Sequence, residues 1–150
     1  MQAKKTFEKY RYLEHTADAL FLAFGRTDRE MISNSAEAMA NVMYDLSRVK
    51  ASEREAVSIT AKDLEELVHK FLEEILFRIT AREKLYSFFG VNSLRKDFKT
   101  GMLMMEAELR GEKIDAERHL LKKEIKAVTW NRFMVEKKGA LWVAQVLVDI

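Results

Sequence analysis

The sequence predicts an α+β domain in which two helices pack on one face of a largely antiparallel β-sheet, with a strand-rich C-terminal half. Two segments, 28–46 and 64–79, carry apolar residues three and four positions apart, which is the spacing of an amphipathic helix. The residues from 85 onward instead form short apolar runs separated by glycines, as strands and turns do. Helices followed by a run of strands favour the segregated α+β arrangement.

The first predicted helix has a clear start. Residues 27–30, Thr-Asp-Arg-Glu, have the spacing of a capping box, with Thr27 as the N-cap and Glu30 returning to the Thr27 amide. We expect this helix to end near 45–47. The second helix, over 64–79, has the stronger periodicity and one broad buried face.

The strands are predicted from alternation and from turn residues. They are expected over 10–14, 19–24, 55–61, 85–91, 102–110, 125–130, 133–137 and 141–150. The last of them is apolar on both faces, so we expect it to be central in the sheet and to end inside the fold.

The composition describes a folded domain. Of 150 residues, 48% are hydrophobic and 33% are charged, and the net charge is only +2, which argues against an electrostatic clamp for nucleic acid. Residues 1–9 are expected to be a flexible N-terminal segment and residues 10–150 a single domain. A signal peptide and an apolar run of membrane-spanning length are both lacking, so a cytoplasmic location is expected. The absence of cysteine excludes disulfides and zinc–thiolate sites.

Acidic residues near both ends of the chain predict a metal site. A strand that runs to the last residue puts the Asp149 side chain next to the α-carboxylate of Ile150. Two such charges resist burial unless a cation compensates them. If Asp18 meets this pair, three oxygen groups converge, as a hard divalent cation such as Ca²⁺ or Mg²⁺ requires.

Three further residues are candidates for supporting roles. His15 either orients the Asp18 carboxylate without binding the ion itself, or satisfies a backbone carbonyl in an ordinary turn. Residues 122–130 enter a strand with alternating sides, on which Glu124 and Lys126 share one face. They either form an ion pair on an exposed sheet or lie beside the carboxylates, where Lys126 could neutralise charge or contact a phosphate.

The other polar motifs favour structural interpretations. The three histidines lack metal-ligand spacing, and His69 is expected at the edge of the buried face of the second helix. Residues 112–119 are expected to include a solvated loop. The basic residues Arg118, Lys122, Lys123 and Lys126 are too few to imply RNA binding.

These motifs, in this order and spacing, resemble the archease family from residue 10 to residue 150. The resemblance rests on Glu14-His15-Thr16-Ala17-Asp18, Tyr44-Asp45-Leu46, Gly111-Glu112 with Asp115 and His119, Glu124-Ile125-Lys126-Ala127-Val128-Thr129-Trp130, and Asp149-Ile150.

The resemblance implies a non-catalytic activator. Archeases are accessory proteins of the GTP-dependent ligase that joins tRNA halves (the RtcB type). They promote guanylylation of the ligase catalytic subunit, sustain its turnover and broaden the nucleotides that it accepts. The calcium site of the family carries over to Asp18, Asp149 and the α-carboxylate of Ile150, with Lys126 and Glu124 in support.

Two other classes of function remain as alternatives. A metal-independent chaperone or adaptor for proteins of RNA or DNA processing would need an exposed apolar patch, for which Phe88, Phe89 and residues 102–105 are candidates, although such clusters are more often core. A metal-dependent hydrolase would need a general base and a substrate pocket, and no residue set in the sequence demands either.

Overall fold

The computed structural model describes residues 7–13 and 18–150. In chain order, the described elements are β1 (Tyr10–Leu13), β2 (Asp18–Gly25), α1 (Asp28–Met43), a 3-10 helix (Leu46–Arg48), β3 (Glu53–Ala61), α2 (Leu64–Arg82), β4 (Lys84–Lys96), β5 (Leu103–Lys113), β6 (Ala127–Val128), β7 (Met134–Lys138) and β8 (Leu141–Asp149). The predicted α+β class is confirmed.

The strands divide between two antiparallel sheets. In the first sheet the order is β1-β2-β8-β6, and β7 pairs with the same strand β8. The second sheet has the order β3-β5-β4. The expectation that the last strand is central is confirmed, because β8 pairs with β2 on one side and with β6 and β7 on the other.

Both helices contact both sheets. Helix α1 packs on β2 and β8 of the first sheet and on β4 of the second, and α2 contacts β3, β4 and β5 as well as β6 and β7. Small residues make this burial feasible, since Ser35, Ala36, Ala38 and Ala40 of α1 are all fully buried. The core therefore lies between the sheets, around α1 and the apolar face of α2.

The predicted capping box is present, with one difference. The Thr27 side chain accepts the Glu30 amide hydrogen at 3.1 Å, as expected for the N-cap. The Glu30 carboxylate, however, accepts the amide of Arg26 at 2.9 Å rather than that of Thr27. The carboxylate therefore satisfies the residue before the cap and holds the turn that leaves β2.

The predicted strand over 125–130 shrinks to the two residues of β6. The preceding segment bonds the end of α1 instead, because the amides of Lys122 and Lys123 donate to the carbonyls of Met43 (2.8 Å) and Val42 (3.2 Å). Those amides satisfy carbonyls that a helix end leaves open. The segment reaches β8 only at Lys126, whose amide donates to the Asp149 carbonyl at 2.7 Å.

Candidate functional site

Asp18 and Asp149 face each other across the first sheet. Asp18 is the first residue of β2, Asp149 is the last residue of β8, and the two are direct partners in the antiparallel register. Directly opposed residues point to the same face of a sheet, with Cβ atoms about 4.5–5.5 Å apart. Both residues are half-buried. The fold thus brings two carboxylate-bearing residues from distant parts of the chain to one level of the sheet.

The neighbouring pairs show what surrounds these two residues. Leu20 and Leu147, the next pair on the same face, are 5% and 2% exposed. An apolar, well-packed wall on one side lowers the local dielectric constant and strengthens any interaction of the carboxylates with a cation.

Ile150 follows Asp149 and packs its side chain against the hydrophobic core. With Asp18, it lines an open groove of about 790 Å³ between the ends of β1 and β2, the last turn of α1 and the segment before β6. The other described residues that line the groove are Tyr12, Leu13, Ala19, Leu20, Asn41, Val42, Lys122 and Lys123. Asp149 is not among the described lining residues, so the groove and the Asp18–Asp149 pair are adjacent rather than identical.

Two lysines of this groove were not predicted as site residues. The Lys122 ammonium group donates to the Asn41 carbonyl at 3.0 Å and so compensates the negative end of α1, which has no basic residue in its last turn. Lys123 is exposed, and its ammonium group is not within 4 Å of a carboxylate of any described residue. Short basic runs are common on protein surfaces, so only the fold shows that these two lysines border the same groove as Asp18.

The predicted supporting residues divide between two places. The Lys126 amide donates to the Asp149 carbonyl, and the residue lines a second groove of about 230 Å³ with Glu73, Phe77 and Thr80 of α2. Glu124 is exposed and lies in the irregular segment before β6, not on a strand face with Lys126. The strand expected to align these two side chains is therefore not formed at either residue. His15 lies outside the described residues.

The segment after β5 is held by a part-buried polar network around Glu112, where a solvated loop was expected. The Glu112 carboxylate accepts two hydrogen bonds from the Arg118 guanidinium (2.5 and 2.9 Å) and one from the Lys50 amide (2.7 Å). These donors, Arg118 first, hold the pKa of Glu112 far below its usual range. His119 completes the network with a side chain that is fully buried.

The bonding of His119 fixes the roles of its ring nitrogens. Nδ1 accepts the amide hydrogen of Asp115 at 2.9 Å, so Nε2 carries the hydrogen and donates to Glu112 at 3.0 Å. The ring joins the turn at Asp115 to the end of β5. Alternation and loop composition gave no sign of this burial, because the contact joins the end of β5 to a turn outside any helix or strand.

His69 is part of the core, which agrees with its structural interpretation. The residue is 2% exposed, its ring stacks on Trp130 with centroids 3.7 Å apart, and its Nδ1 lies 2.8 Å from the Glu73 carboxylate. Through this stack, α2 holds the turn that follows β6.

Within residues 7–13 and 18–150, no three His, Asp or Glu side chains come together at metal-binding distances. A cation at the Asp18–Asp149 pair would therefore need oxygen ligands beyond these side chains. No helix in the described part of the chain is long and apolar enough to cross a membrane.

Comparisons with known proteins agree with the fold. The model of the Archease protein family (MTH1598/TM1083) matches residues 10–150. The chain is 41% identical over 143 residues to Protein archease of Methanosarcina mazei, covering 95% of this chain and 97% of that protein. It is 34% identical to Protein archease of Sulfurisphaera tokodaii, with 95% and 99% covered.

Solved structures give the same result. The solution structure of protein 1598 of Methanobacterium thermoautotrophicum superposes with a TM-score of 0.79 at 32% identity, covering 95% of this chain and 99% of that one. The crystal structure of an archease from Thermotoga maritima, described as a possible chaperone, gives a TM-score of 0.58 at 14% identity and shows likeness of fold alone. On the family match and the identity to these relatives, the chain belongs to the archease family.

Proposed function

We propose that this protein is an accessory activator of the GTP-dependent RNA ligase that joins tRNA halves. In this role it promotes guanylylation of the ligase catalytic subunit, sustains its turnover and broadens its use of nucleotides, without catalysing a reaction itself. Membership of the archease family supports the proposal. The observation that carries it is the direct opposition of Asp18 and Asp149 in the register of β2 and β8.

We assign a divalent cation, Ca²⁺ or another hard ion such as Mg²⁺, to Asp18, Asp149 and the α-carboxylate of Ile150. The donor set fits such an ion, because hard cations take carboxylate oxygens and two carboxylate-bearing residues share one sheet face here. A bound divalent ion supplies positive charge that polarises phosphoryl oxygens.

The protein would hold these ligands rigidly. Asp149 lies on the central strand, and its carbonyl accepts the Lys126 amide at 2.7 Å, so the backbone next to the carboxylate is fixed on both sides. A site built on paired strands keeps its geometry better than one built on loops. Lys122 and Lys123, at the border of the adjacent groove, supply positive charge for an acidic or phosphorylated group of the partner.

The test measures guanylylated ligase in the presence of GTP and the full-length protein. Asp18→Asn and Asp149→Asn keep the shape of each side chain and remove its charge, and each should abolish stimulation of repeated turnover. Glu136→Gln is the matched control, since Glu136 is an exposed carboxylate on β7, which pairs with the same strand β8. Full stimulation by both asparagine variants would overturn the proposed role of the carboxylates.

A second candidate function is a metal-independent chaperone or adaptor. The patch expected from the sequence does not form as one surface, because Phe89 and Met105 are buried and the Arg110 guanidinium lies over the Phe88 ring at 4.4 Å. A different set of exposed apolar side chains supports this alternative: Tyr12, Leu13, Leu120 and Leu121. Two of these residues, Tyr12 and Leu13, line the groove beside Asp18.

Chelation separates the two candidates. A metal-dependent activator that has been treated with excess EGTA and EDTA no longer stimulates the ligase. It regains stimulation when the divalent ion is returned in excess of the chelator. A chaperone keeps its effect in chelator and loses it on Leu120→Ser with Leu121→Ser. A cytoplasmic location stays a prediction.

A further inference from the structure

The connection between β4 and β5 is a tightly bonded hairpin loop, residues 97–102, which we call the hairpin tip. Its two ends are joined by the Asp97 amide, which donates to the Met102 carbonyl at 2.8 Å. The Gly101 amide donates back to the Asp97 carbonyl at 2.7 Å, and Gly101 has a φ of +76°, which favours glycine. Two side-chain bonds add to this, from the Lys99 amide to Asp97 and from the Met102 amide to Thr100.

This rigid loop carries an aromatic ring into solvent. Phe98 is 97% exposed, whereas the other exposed large hydrophobic side chains of the described chain are 37–57% exposed. Both faces of the ring are therefore open. A ring held this far from the protein surface by a fixed loop contributes nothing to the core, and both of its faces are available for stacking.

The side chains around Phe98 are basic. Arg95, Lys96 and Lys99 are exposed, and within the described part of the chain none of the three has a carboxylate within 4 Å. Asp97 is the acidic residue of this segment, and its carboxylate is engaged by the Lys99 amide inside the loop. Three cations without carboxylate partners among the described residues thus lie within three positions of one exposed aromatic ring along the chain.

We propose that the hairpin tip binds single-stranded nucleic acid, with an unpaired base stacked on Phe98 and its phosphates contacted by Arg95, Lys96 and Lys99. Aromatic stacking beside a basic track is how proteins hold single strands without reading sequence. A pocket on a partner protein fits less well, because the centre of a protein interface is an apolar cluster depleted of lysine. Here the exposed neighbours of Phe98 are charged or polar.

The tip is separate from the carboxylate pair. Arg29, in the first turn of α1, lies near the tip end of β4, with its guanidinium 3.5 Å from the Leu94 carbonyl. The groove beside Asp18 is lined by Asn41 and Val42 from the last turn of the same helix. The length of α1, about 24 Å for its 16 residues, separates the two regions. The tip could therefore hold a strand of RNA while the opposite end engages a protein partner.

The experiment measures fluorescence anisotropy of labelled ten-nucleotide single strands, one RNA and one DNA, with the full-length protein at low salt. Phe98→Ala should weaken binding about 5- to 150-fold, the effect of losing one stacked base. Replacing Lys96 and Lys99 by Gln should reduce the slope of log K against log salt by about 1.4. Binding of either strand supports the site, and tighter binding of the RNA strand would show a preference for ribose over deoxyribose.

Phe77→Ala is the matched control, because Phe77 is a 50% exposed ring with the Arg82 guanidinium 5.5 Å from its centroid, on α2 rather than the tip. This variant should bind as the wild type does. Absence of single-strand binding at low salt, equal affinity of Phe98→Ala and wild type, or Phe98-dependent binding of an acidic peptide instead would each overturn the proposal. Asp149→Asn should keep single-strand binding, so loss of ligase activation and loss of strand binding are separable outcomes.

Discussion

The phenol of Tyr44 bonds both backbone groups of Tyr86. The hydroxyl donates to the Tyr86 carbonyl at 2.6 Å and accepts the Tyr86 amide hydrogen at 2.8 Å. The β4–β5 register shifts just after this residue, between Tyr86 and Phe88. A single buried side chain at the end of α1 thus takes the place of a strand neighbour, and this contact joins the first helix to the second sheet.

Tyr44→Phe should destabilise the protein by about 1–3 kcal/mol, because the isosteric ring leaves a buried amide and a buried carbonyl unsatisfied. Urea unfolding measures the change. Tyr12→Phe is the control: its hydroxyl bonds the Ala38 carbonyl and Asn41, but the residue is 40% exposed, so water can replace these bonds. A smaller loss for Tyr44→Phe than for Tyr12→Phe would contradict this account.

The caps, the second helix and the central strand were predictable because each is a local pattern that tertiary structure reinforces. Thr27 had its capping partner three residues away, and β8 was apolar on both faces. The number of sheets was not predictable, since alternation shows which residues are buried and not which strand lies beside them. The pair of hydrogen bonds between Tyr44 and Tyr86 joins residues 42 positions apart in the sequence, and no spacing rule predicts such a contact.

The candidate site was predictable to a different extent at each residue. The sequence predicted a strand at each aspartate and gave their meeting only as a condition, and the β2–β8 register supplies that pairing. The strand expected to carry Glu124 and Lys126 on one face does not form at either residue, because the segment before β6 bonds the carbonyls of α1. Competition of this kind between two sets of backbone acceptors cannot be read from alternating side chains.

Gly111→Ala should destabilise the protein by about 3 kcal/mol or more. A Cβ atom at residue 111 would lie 1.8 Å from the Leu85 carbonyl oxygen, which is backbone and cannot move without separating β4 from β5. Thermal unfolding followed by circular dichroism measures the effect.

Gly90→Ala is the control in the same pair of strands. Its Cβ would meet only ring atoms of Phe88, at 2.7 Å, and that half-exposed ring can rotate away. We expect a loss of stability well below that of Gly111→Ala. Equal losses in the two variants would show that the close approach at Gly111 is relieved by movement of the backbone.

Glu112 should make stability depend on acid pH. Its pKa is lowered by Arg118, the Lys50 amide and His119, so its stabilising contribution is present above its unfolded pKa of about 4.3 and is lost as the pH falls through the folded value. Urea midpoints at pH 7 and pH 3 measure the change. Glu112→Gln should lower the urea midpoint at pH 7 and reduce the difference between the midpoints at pH 7 and pH 3.

Glu136→Gln serves as the control for the acid experiment, because among the described residues this exposed carboxylate has one distant partner, Lys138 at 3.9 Å. The difference between its urea midpoints at pH 7 and pH 3 should match that of the wild type. A full wild-type difference in Glu112→Gln would mean that another carboxylate governs acid unfolding.

Asp149→Asn should have opposite effects on stability with and without a divalent cation. In chelator, the substitution removes the repulsion between like charges directly opposed in the β2–β8 pair, a gain of about 0.2–1 kcal/mol, or about 1–4 °C in Tm. In millimolar Ca²⁺ the wild type should gain Tm by ligand binding, and the variant should gain less because one proposed ligand is lost. Differential scanning fluorimetry in EDTA and in Ca²⁺ measures both effects, with Glu136→Gln as the reference. A variant less stable than wild type in EDTA would show that the two aspartates do not repel each other, and an equal Ca²⁺ gain would remove Asp149 from the ion site.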